Sequence, residues 1–322
     1  MMWRISVLAF LTLSLGIAAD GPASFPAIAQ RGVALAKTGH CAEALPLLHK
    51  AQGHIGGAEL KRDLGTAGVN CAMSLDRQDD ALHFIEFLNR EFPGDPAILY
   101  LTTHVFSDLS IRASQKLIYT APSSPQVHQL NAEALETQGK WKEAADEYRA
   151  VLKKDPDMPG IHYRIGRLIL SQPQTDTTFA DARKEFEAEL KIDPSNAGAE
   201  YVLGELARQE EKWPQAIDHF SRATKLDARF ADAFMGLGRS LTSAGQAAKA
   251  IAPLETAEKL QPANPETHFY LATAYMRAGR KADSDREIAL HKETTEKAGQ
   301  KKDEIRSGVG GPQPIERPKQ EP

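Results

Sequence analysis

The 322-residue chain contains only two cysteines, which are too few for a disulfide-stapled scaffold or a four-cysteine zinc site. It also lacks a basic excess, because 39 Lys and Arg residues stand against 43 Asp and Glu residues. Proteins that bind nucleic acid need a basic surface, so this balance argues against a nucleic-acid partner. Its hydrophobic content of 42% is ordinary for a globular protein, which excludes disorder of the whole chain.

Recognised catalytic motifs are also absent from the sequence. It has no Gly-x-x-x-x-Gly-Lys-Ser/Thr phosphate loop, no Gly-x-Ser-x-Gly elbow and no His-Glu-x-x-His zinc motif. Of the ten histidines, His128, His162 and His268 recur at equivalent positions a repeat or more apart. Metal ligands must converge on one point, so this spacing favours packing over metal binding. The sequence therefore predicts a protein that is not an enzyme and has no cofactor or metal.

Long apolar runs are confined to the N-terminus. Arg4 precedes an apolar stretch that ends in small residues at Ala18 and Ala19. This pattern predicts a secretory signal peptide over 1–19, and therefore a periplasmic or secreted protein. The alternatives are an uncleaved anchor or a buried N-terminal helix. No later stretch reaches the roughly 18 uninterrupted apolar residues of a membrane helix, so we expect no membrane insertion after cleavage.

The C-terminal half repeats itself every 34 residues. Within one unit, spacings of 3 and 4 residues place side chains on one helix face, and a longer gap contains a break such as Gly245. Each unit is therefore predicted to be a helix, a short turn and a helix, with small residues where the two helices cross closely. Five columns carry the period: Leu203, Leu237 and Leu271; Gly204, Gly238 and Ala272; Ala207, Leu241 and Tyr275; Ala216, Ala250 and Ser284; Phe220, Leu254 and Ile288.

This pattern resembles the tetratricopeptide repeat family. The resemblance implies an all-α, right-handed superhelical solenoid of about eight helix-turn-helix units. We expect degenerate units over 20–124, with 96–124 about five residues short of a repeat, and a well-formed array over 125–298. The Pro- and Gly-rich segment 299–322 is predicted to be a disordered tail. The alternative is that the stretch from Asp283 to Ile305 extends the last helix as a polar cap. The unit that begins at Ala231 shows the family pattern most fully, in Phe234, Leu237, Gly238, Leu241, Ala250, Leu254, Ala257 and Pro262.

In families of this type, the first helices line a concave face that holds a peptide or a partner protein. An apolar column beside a charged column suits a mixed peptide. The alternative is that these aromatic residues mainly pack between helices. A known subclass grips a terminal carboxylate through Lys and Asn, but Thr66 stands where that Lys belongs, near Asn70. The repeat register predicts these partner-binding residues: Tyr163, Arg167, Tyr201, Glu205, Arg208, Met235, Arg239, Phe269 and Thr273.

The two cysteines fall in neighbouring predicted helices. Cys41 shares a repeat column with Trp141 and Trp213, and Cys71 lies in the first helix of the next unit. A disulfide between them would close a loop of about 30 residues and add roughly 3 kcal/mol of stability. The alternative is two buried free thiols that act as small hydrophobic side chains.

The sequence thus predicts a non-catalytic scaffold or adaptor that binds a peptide or a partner protein on the concave face of a solenoid. The alternative is an accessory subunit of an envelope enzyme or of a secretion or assembly complex. Neither the partner nor the oligomeric state follows from the residues.

Overall fold

The computed structural model describes residues 24–306, so the predicted signal segment over 1–19 and residues 307–322 of the predicted tail lie outside the described residues. Regular structure in this range is entirely α-helical. None of its helices is long and apolar enough to cross a bilayer. The helices are α1 Phe25–Lys37, α2 Cys41–Ala51, α3 Ala58–Ser74, α4 Gln78–Glu91, α5 Pro96–Thr120, α6 Pro125–Thr137, α7 Trp141–Lys154, α8 Ile161–Ser171, α9 Thr178–Ile192, α10 Ala197–Gln209, α11 Trp213–Leu226, α12 Ala231–Ser243, α13 Ala247–Leu260, α14 Pro265–Arg277 and α15 Lys281–Arg306.

The chain divides into two compact units, unit 1 up to Thr120 and unit 2 from Ala121. Unit 2 contains five helix pairs, α6–α7, α8–α9, α10–α11, α12–α13 and α14–α15. Each second helix also packs against the first helix of the next pair, as α11 does against α12 and α13 against α14. This alternation confirms the all-α solenoid built from helix-turn-helix units.

Large side chains of the second helices fill the core of unit 2. Phe220 of α11 is completely buried and lies between Gly204 of α10 and Gly236 of α12. A Cβ atom at these two glycines would come 2.8 and 2.6 Å from the Phe220 ring. The prediction that the small-residue column marks close helix crossings is therefore confirmed at Gly204.

Unit 1 contains the pairs α1–α2 and α3–α4, followed by α5 alone. The prediction of a shortened helix-turn-helix repeat over 96–124 is therefore wrong, because this segment forms a single 25-residue helix, Pro96–Thr120. After Pro96 the helix contains no further Pro and no Gly that could break it. The described residues thus form seven helix pairs and one single helix, in place of eight pairs.

The C-terminal boundary differs from the predicted start of the tail at 299 and agrees with the alternative of an extended last helix. Helix α15 runs to Arg306, so residues 299–306 of the predicted tail are helical. Gly299 is tolerated because one glycine in an exposed helix costs only about 1 kcal/mol, and strong helix formers such as Lys301 and Glu304 surround it.

Tight turns join the two helices of most pairs through a residue with positive φ. Glycine takes this position at Gly39, Gly139, Gly245 and Gly279, where φ lies between 71° and 81°. Glycine adopts this conformation without a steric penalty, which explains its recurrence. In the turn between α10 and α11, Glu211 has φ 58°, so that turn accepts a residue with a side chain.

Candidate functional site

The first helices of unit 2 carry the nine predicted partner-binding residues, which we call the first-helix stripe. The structure brings four of them together around one open pocket of about 300 Å³, namely Arg208, Arg239, Phe269 and Thr273. The first helices that supply them are neighbours, because α10 contacts α12 and α12 contacts α14. We call this cavity the arginine pocket. Its remaining lining residues are Trp213, Thr242, Ser243, Tyr270 and Arg277.

Three other stripe residues pack largely between helices. The Tyr163 ring meets Phe186 edge-on at 5.7 Å, and Tyr201 lies 4.9 Å from Phe230. Burial raises the pKa of Tyr201 to about 12, which keeps its hydroxyl protonated. The sulfur of Met235 accepts a weak hydrogen bond from Thr267 at 3.8 Å. These side chains therefore contribute to the packing of unit 2, as the alternative interpretation of the stripe expected.

The last two stripe residues carry opposite charges. Glu205 accepts two hydrogen bonds from Arg208, at 2.7 and 3.0 Å. This bonding holds the pKa of Arg208 above its usual value and offsets its charge. Arg167 is exposed, and its guanidinium carbon lies 5.9 Å from the centre of the Tyr163 ring. It forms no ion pair with another described residue.

Aromatic rings and arginines together line the arginine pocket. The guanidinium of Arg239 stacks over Tyr270, with its central carbon 4.4 Å from the ring centre. Arg277 donates a hydrogen bond of 3.0 Å to the carbonyl oxygen of Thr242 on α12. Phe269 is 51% exposed, and its ring lies 5.3 Å from that of Tyr270. Exposed aromatic surface beside fixed guanidinium groups is typical of a protein-binding surface.

Sequence reasoning missed five of the residues that line this pocket, namely Trp213, Thr242, Ser243, Tyr270 and Arg277. Arg277 belongs to a column four residues beyond Thr273, and Ser243 holds the same place one repeat earlier. Extending the two predicted columns by one helical turn would have found it. Tyr270 and Trp213 gave no comparable signal, because their places depend on how successive helix pairs pack together.

Two further pockets offer less for recognition. One, of about 370 Å³, lies between α1 and α3 and contains Thr66 and Asn70. Its arginine Arg62 donates to Asp95 at 2.9 Å, so that cation is already satisfied. The other, of about 400 Å³, adjoins the longer turn between α8 and α9, where Lys184 pairs with Asp181 at 3.3 Å.

One grouping of His and Glu side chains has the spacing of possible metal ligands. Atoms of Glu258, His268 and Glu287 lie within 4.8 Å of one another. Both ring nitrogens of His268 already have acceptors, the Glu287 carboxylate at 2.8 Å and the Pro262 carbonyl at 3.1 Å. A ring that donates at both nitrogens is an imidazolium, which has no lone pair for a metal. The grouping is therefore accounted for by hydrogen bonds.

The two cysteines meet in unit 1. A disulfide joins Cys41, the first residue of α2, to Cys71 near the end of α3, with α-carbons 4.9 Å apart. The bond thus connects two successive helix pairs. Both cysteines belong to unit 1, so the bond contributes to the stability of that unit.

The repeated helix pairs of unit 2 define a helical repeat protein. The family model "Tetratricopeptide repeat" matches four overlapping stretches of the chain, residues 130–197, 176–230, 201–265 and 235–284. Residues 130–284 are therefore tetratricopeptide repeats, and the family predicted from the 34-residue period is confirmed over this range. A search of curated proteins found no match.

Solved structures of tetratricopeptide repeat proteins resemble the chain. A MamA RS-1 double mutant is 17% identical with a TM-score of 0.50, over 54% of this chain and 96% of that chain. This similarity concerns the fold alone. A second MamA structure is 24% identical with a TM-score of 0.49, over 55% and 94% of the two chains. YrrB, described as a TPR protein with an unusual peptide-binding site, is 17% identical with a TM-score of 0.49, over 56% and 92%.

Proposed function

We propose that the chain is a non-catalytic interaction scaffold that binds a peptide or a partner protein on the concave face formed by the first helices of unit 2. One observation carries this proposal. Successive first helices, α10, α12 and α14, together line a pocket that holds exposed aromatic and guanidinium groups. A preformed surface of this kind binds without a large ordering cost, because its side chains are already placed by the repeat packing.

Tetratricopeptide repeats generally serve as interaction scaffolds, which supports a role without catalysis. The sequence offers no motif for acyl transfer, phosphoryl transfer or zinc hydrolysis. The perturbed tyrosine pKa values in unit 2 also fit structural roles. Burial, followed by a hydrogen bond to Glu255, raises the pKa of Tyr275 to about 12.

Site-specific photocrosslinking tests which surface binds the partner. We would place a benzoyl-phenylalanine at Phe269, which borders the pocket, and separately at Leu226, which ends the second helix α11. Both residues are exposed and apolar, at 51% and 42%. We expect a defined adduct in native extract from position 269 and none from position 226.

Two companion variants make the same test quantitative. Replacement of both Arg167 and Arg239 by alanine should reduce the yield of the 269 adduct. Replacement of the exposed Arg149 and Arg229 by alanine is the matched control. An adduct that forms equally at 226, or that is unaffected by the loss of Arg167 and Arg239, would place the partner outside the concave face and refute the proposal.

We further propose that the chain is exported and works in the periplasm or outside the cell. The apolar segment over 1–19 supports export, and the Cys41–Cys71 bond suits an oxidising compartment. Protein purified from its native source should begin near residue 20, and its cysteines should react with iodoacetamide only after reduction. A chain that retains Met1 and carries two free thiols would contradict this localisation.

An accessory subunit of an envelope complex is the second candidate, and helix α5 favours it. Six large apolar side chains of this helix are exposed, with Tyr119 at 88%. Exposed apolar patches commonly mark protein interfaces. If a stoichiometric subunit co-purifies with the wild type and is lost when Tyr100 and Phe106 become serine, but not when Arg167 and Arg239 become alanine, this candidate replaces the groove-binding scaffold. The six side chains are Leu99, Tyr100, Phe106, Ile111, Ile118 and Tyr119.

A further inference from the structure

We propose that helix α5 pairs with α5 of a second copy of this chain, and that the two helices run antiparallel. The surface involved is the side of α5 that α4 leaves uncovered, which we call the α5 face. This inference concerns unit 1 and does not depend on what the concave face of unit 2 binds. The large apolar residues of the α5 face are Leu99, Tyr100, Phe106, Ile111, Leu117 and Ile118.

Helix α5 lacks the cover that the other first helices have. In each of the seven helix pairs the first helix packs against its own second helix, whereas α5 is single. Its contacts with α4 occupy one side. There Ile98 and Val105 are buried, and Thr102 accepts a hydrogen bond of 3.1 Å from Asn89 of α4. The rest of the helix surface stays open, with Tyr100 at 69% exposure.

The α5 face contains no charged side chain, although charged residues make up 25% of the whole chain. The three charged residues of α5 lie on its other sides. Asp108 and Arg112 form an ion pair at 2.7 Å, and Arg112 also reaches Asp76 of unit 1 at 2.8 Å. Lys116 lies on the same side of the helix as Val105. Two identical copies can therefore meet on the α5 face without like-charge repulsion.

The order of residue types along the α5 face is the same in both directions. Ser107 and Ser110 lie at its centre, and Phe106 and Ile111 flank them as the next large residues. Seven residues further out on each side the face ends in two large apolar residues. This spacing of seven keeps side chains on one seam between paired helices. The end residues are Leu99 and Tyr100 on one side, and Leu117 and Ile118 on the other.

A symmetric antiparallel pair uses this order. In a two-fold interface, a residue of one copy meets a second residue of the other copy, and the reverse contact also forms. With the axis between Ser107 and Ser110, Phe106 of each copy lies beside Ile111 of the other. The small serines at the centre let the two helices approach closely. A foreign helix would need no such symmetry, so the pattern favours a second copy as the occupant.

The apolar area of the α5 face suits a reversible dimer. Its five most exposed apolar side chains present roughly 500 Å² per copy, against about 800 Å² that each partner buries in a standard interface. The serines and threonine between them contribute further contact. A dimer would also carry two copies of the first-helix stripe, which raises the apparent affinity for a partner with two binding segments.

Sedimentation equilibrium of the purified full chain measures the association directly. We expect the average mass to rise towards twice that of the monomer between about 1 and about 100 μM. Phe106→Glu should weaken the dimer at least about tenfold, because it places a carboxylate against an apolar side chain, and Ile111→Lys should do the same. Leu226→Glu, which changes an exposed leucine of α11 in unit 2, is the matched control and should leave the association unchanged.

A mixture of the two variants tests the register of the pair. In the proposed dimer, the carboxylate introduced at position 106 of one copy meets the ammonium introduced at position 111 of the other. Chains with Phe106→Glu should therefore associate with chains that carry Ile111→Lys, while each variant alone stays monomeric. Circular dichroism checks that each variant is folded, as expected for changes at exposed side chains.

Three results would overturn the inference. These are a mass that stays monomeric throughout the range, a dimer that neither variant weakens, or a mixture that associates no better than its components. A monomeric chain that holds a stoichiometric foreign subunit, released by Phe106→Glu, would also overturn it and assign the α5 face to an envelope complex. The crosslink at position 269 reports on unit 2, so the proposed scaffold function stands or fails separately.

Discussion

At the residue scale, the close helix crossings of unit 2 depend on glycine. A Cβ atom at Gly238 of α12 would overlap the Cγ of Leu254 and lie 2.7 Å from its Cδ2. Both residues are buried, and the Cγ of a leucine cannot rotate away as the end of a long side chain can. The glycine at this position is therefore required by packing, in contrast to the turn glycines, which are required by backbone conformation.

Gly238→Ala should therefore destabilise the protein. Overpacking of a core costs about 1–3 kcal/mol, and the better helix propensity of alanine returns up to about 1 kcal/mol. We expect a net loss on the order of 1 kcal/mol, measured by urea unfolding. Gly299→Ala is the matched control in α15, where nothing lies within 4 Å of the added atom. It should be neutral or stabilising, and equal effects of the two changes would contradict the packing argument.

At the scale of the element, a His–Glu hydrogen bond ties the first helix to the second in four of the five pairs of unit 2. The Nδ1 atom of each histidine lies 2.6–2.8 Å from a carboxylate oxygen. In the α10–α11 pair the two residue types are exchanged between the helices. The α12–α13 pair has Phe234 and Pro253 at the equivalent positions. The four bonded pairs are His128–Glu147, His162–Glu185, His219–Glu200 and His268–Glu287.

Exchanging Glu200 and His219 tests whether the bond itself matters. Glu200→His leaves two histidines, and His219→Glu leaves two carboxylates, so each single change should cost about 1–3 kcal/mol. The double exchange restores the arrangement of the other pairs and should recover most of the loss. A thermodynamic cycle from urea unfolding gives the coupling energy. Exchange of the exposed pair Glu293 and Lys297 is the control, with an expected coupling below about 1 kcal/mol.

The most deeply buried of these pairs, His268–Glu287, should make the stability of the protein depend on pH. Burial alone would lower the pKa of His268, but its hydrogen bonds to Glu287 and Pro262 and the nearby charge of Glu258 outweigh burial and raise it. A raised folded-state pKa means that the contribution is complete below the unfolded value of about 6.5 and is lost as the pH rises through the folded value. Arg286 is the basic group that faces this cluster, 3.9 Å from Glu287.

Unfolding of the wild type and of His268→Gln across this pH range measures the effect. The wild type should be more stable by about 1–3 kcal/mol near pH 6, and the difference should shrink above the folded pKa. Glu287→Gln should flatten the same dependence, because it removes the charge that holds the proton. A stability difference that grows with pH would show that the ring is neutral in the folded protein.

These elements also show what the sequence could predict. The 34-residue period located the helix pairs of unit 2, because residues such as Leu203, Gly204 and Phe220 form the contacts within a pair and with the next pair. Helix α5 escaped prediction because the period was extended over a segment that lacks a turn residue. The arginine pocket was found only in part. Arg239 follows from the register, whereas Trp213 and Tyr270 are brought together by the packing of successive pairs, which no single repeat encodes.

At the scale of the whole molecule, a solenoid should tolerate the loss of a complete helix pair but not the loss of a single helix from a pair. In such an array each pair contacts only its neighbours, so stability is nearly a sum of local terms. Deletion of 197–230 removes α10 and α11 and joins Asn196 to Ala231, which holds the repeat position of Ala197. Helix α9 would then meet α12 through the same type of surface that it now offers to α10.

We therefore expect the 197–230 deletion to keep its helicity per residue and to unfold cooperatively at a lower denaturant concentration. It should also lose the arginine pocket in its present form, since the lining residues Arg208 and Trp213 are gone. Deletion of 197–212 is the control, because it removes only α10 and sets α9 against a second helix whose buried face fits a first helix. That variant should lose helicity by circular dichroism or aggregate. If both deletions fold equally well, the helix pair is not the cooperative building block of unit 2, and its stability must arise from contacts that the repeat does not describe.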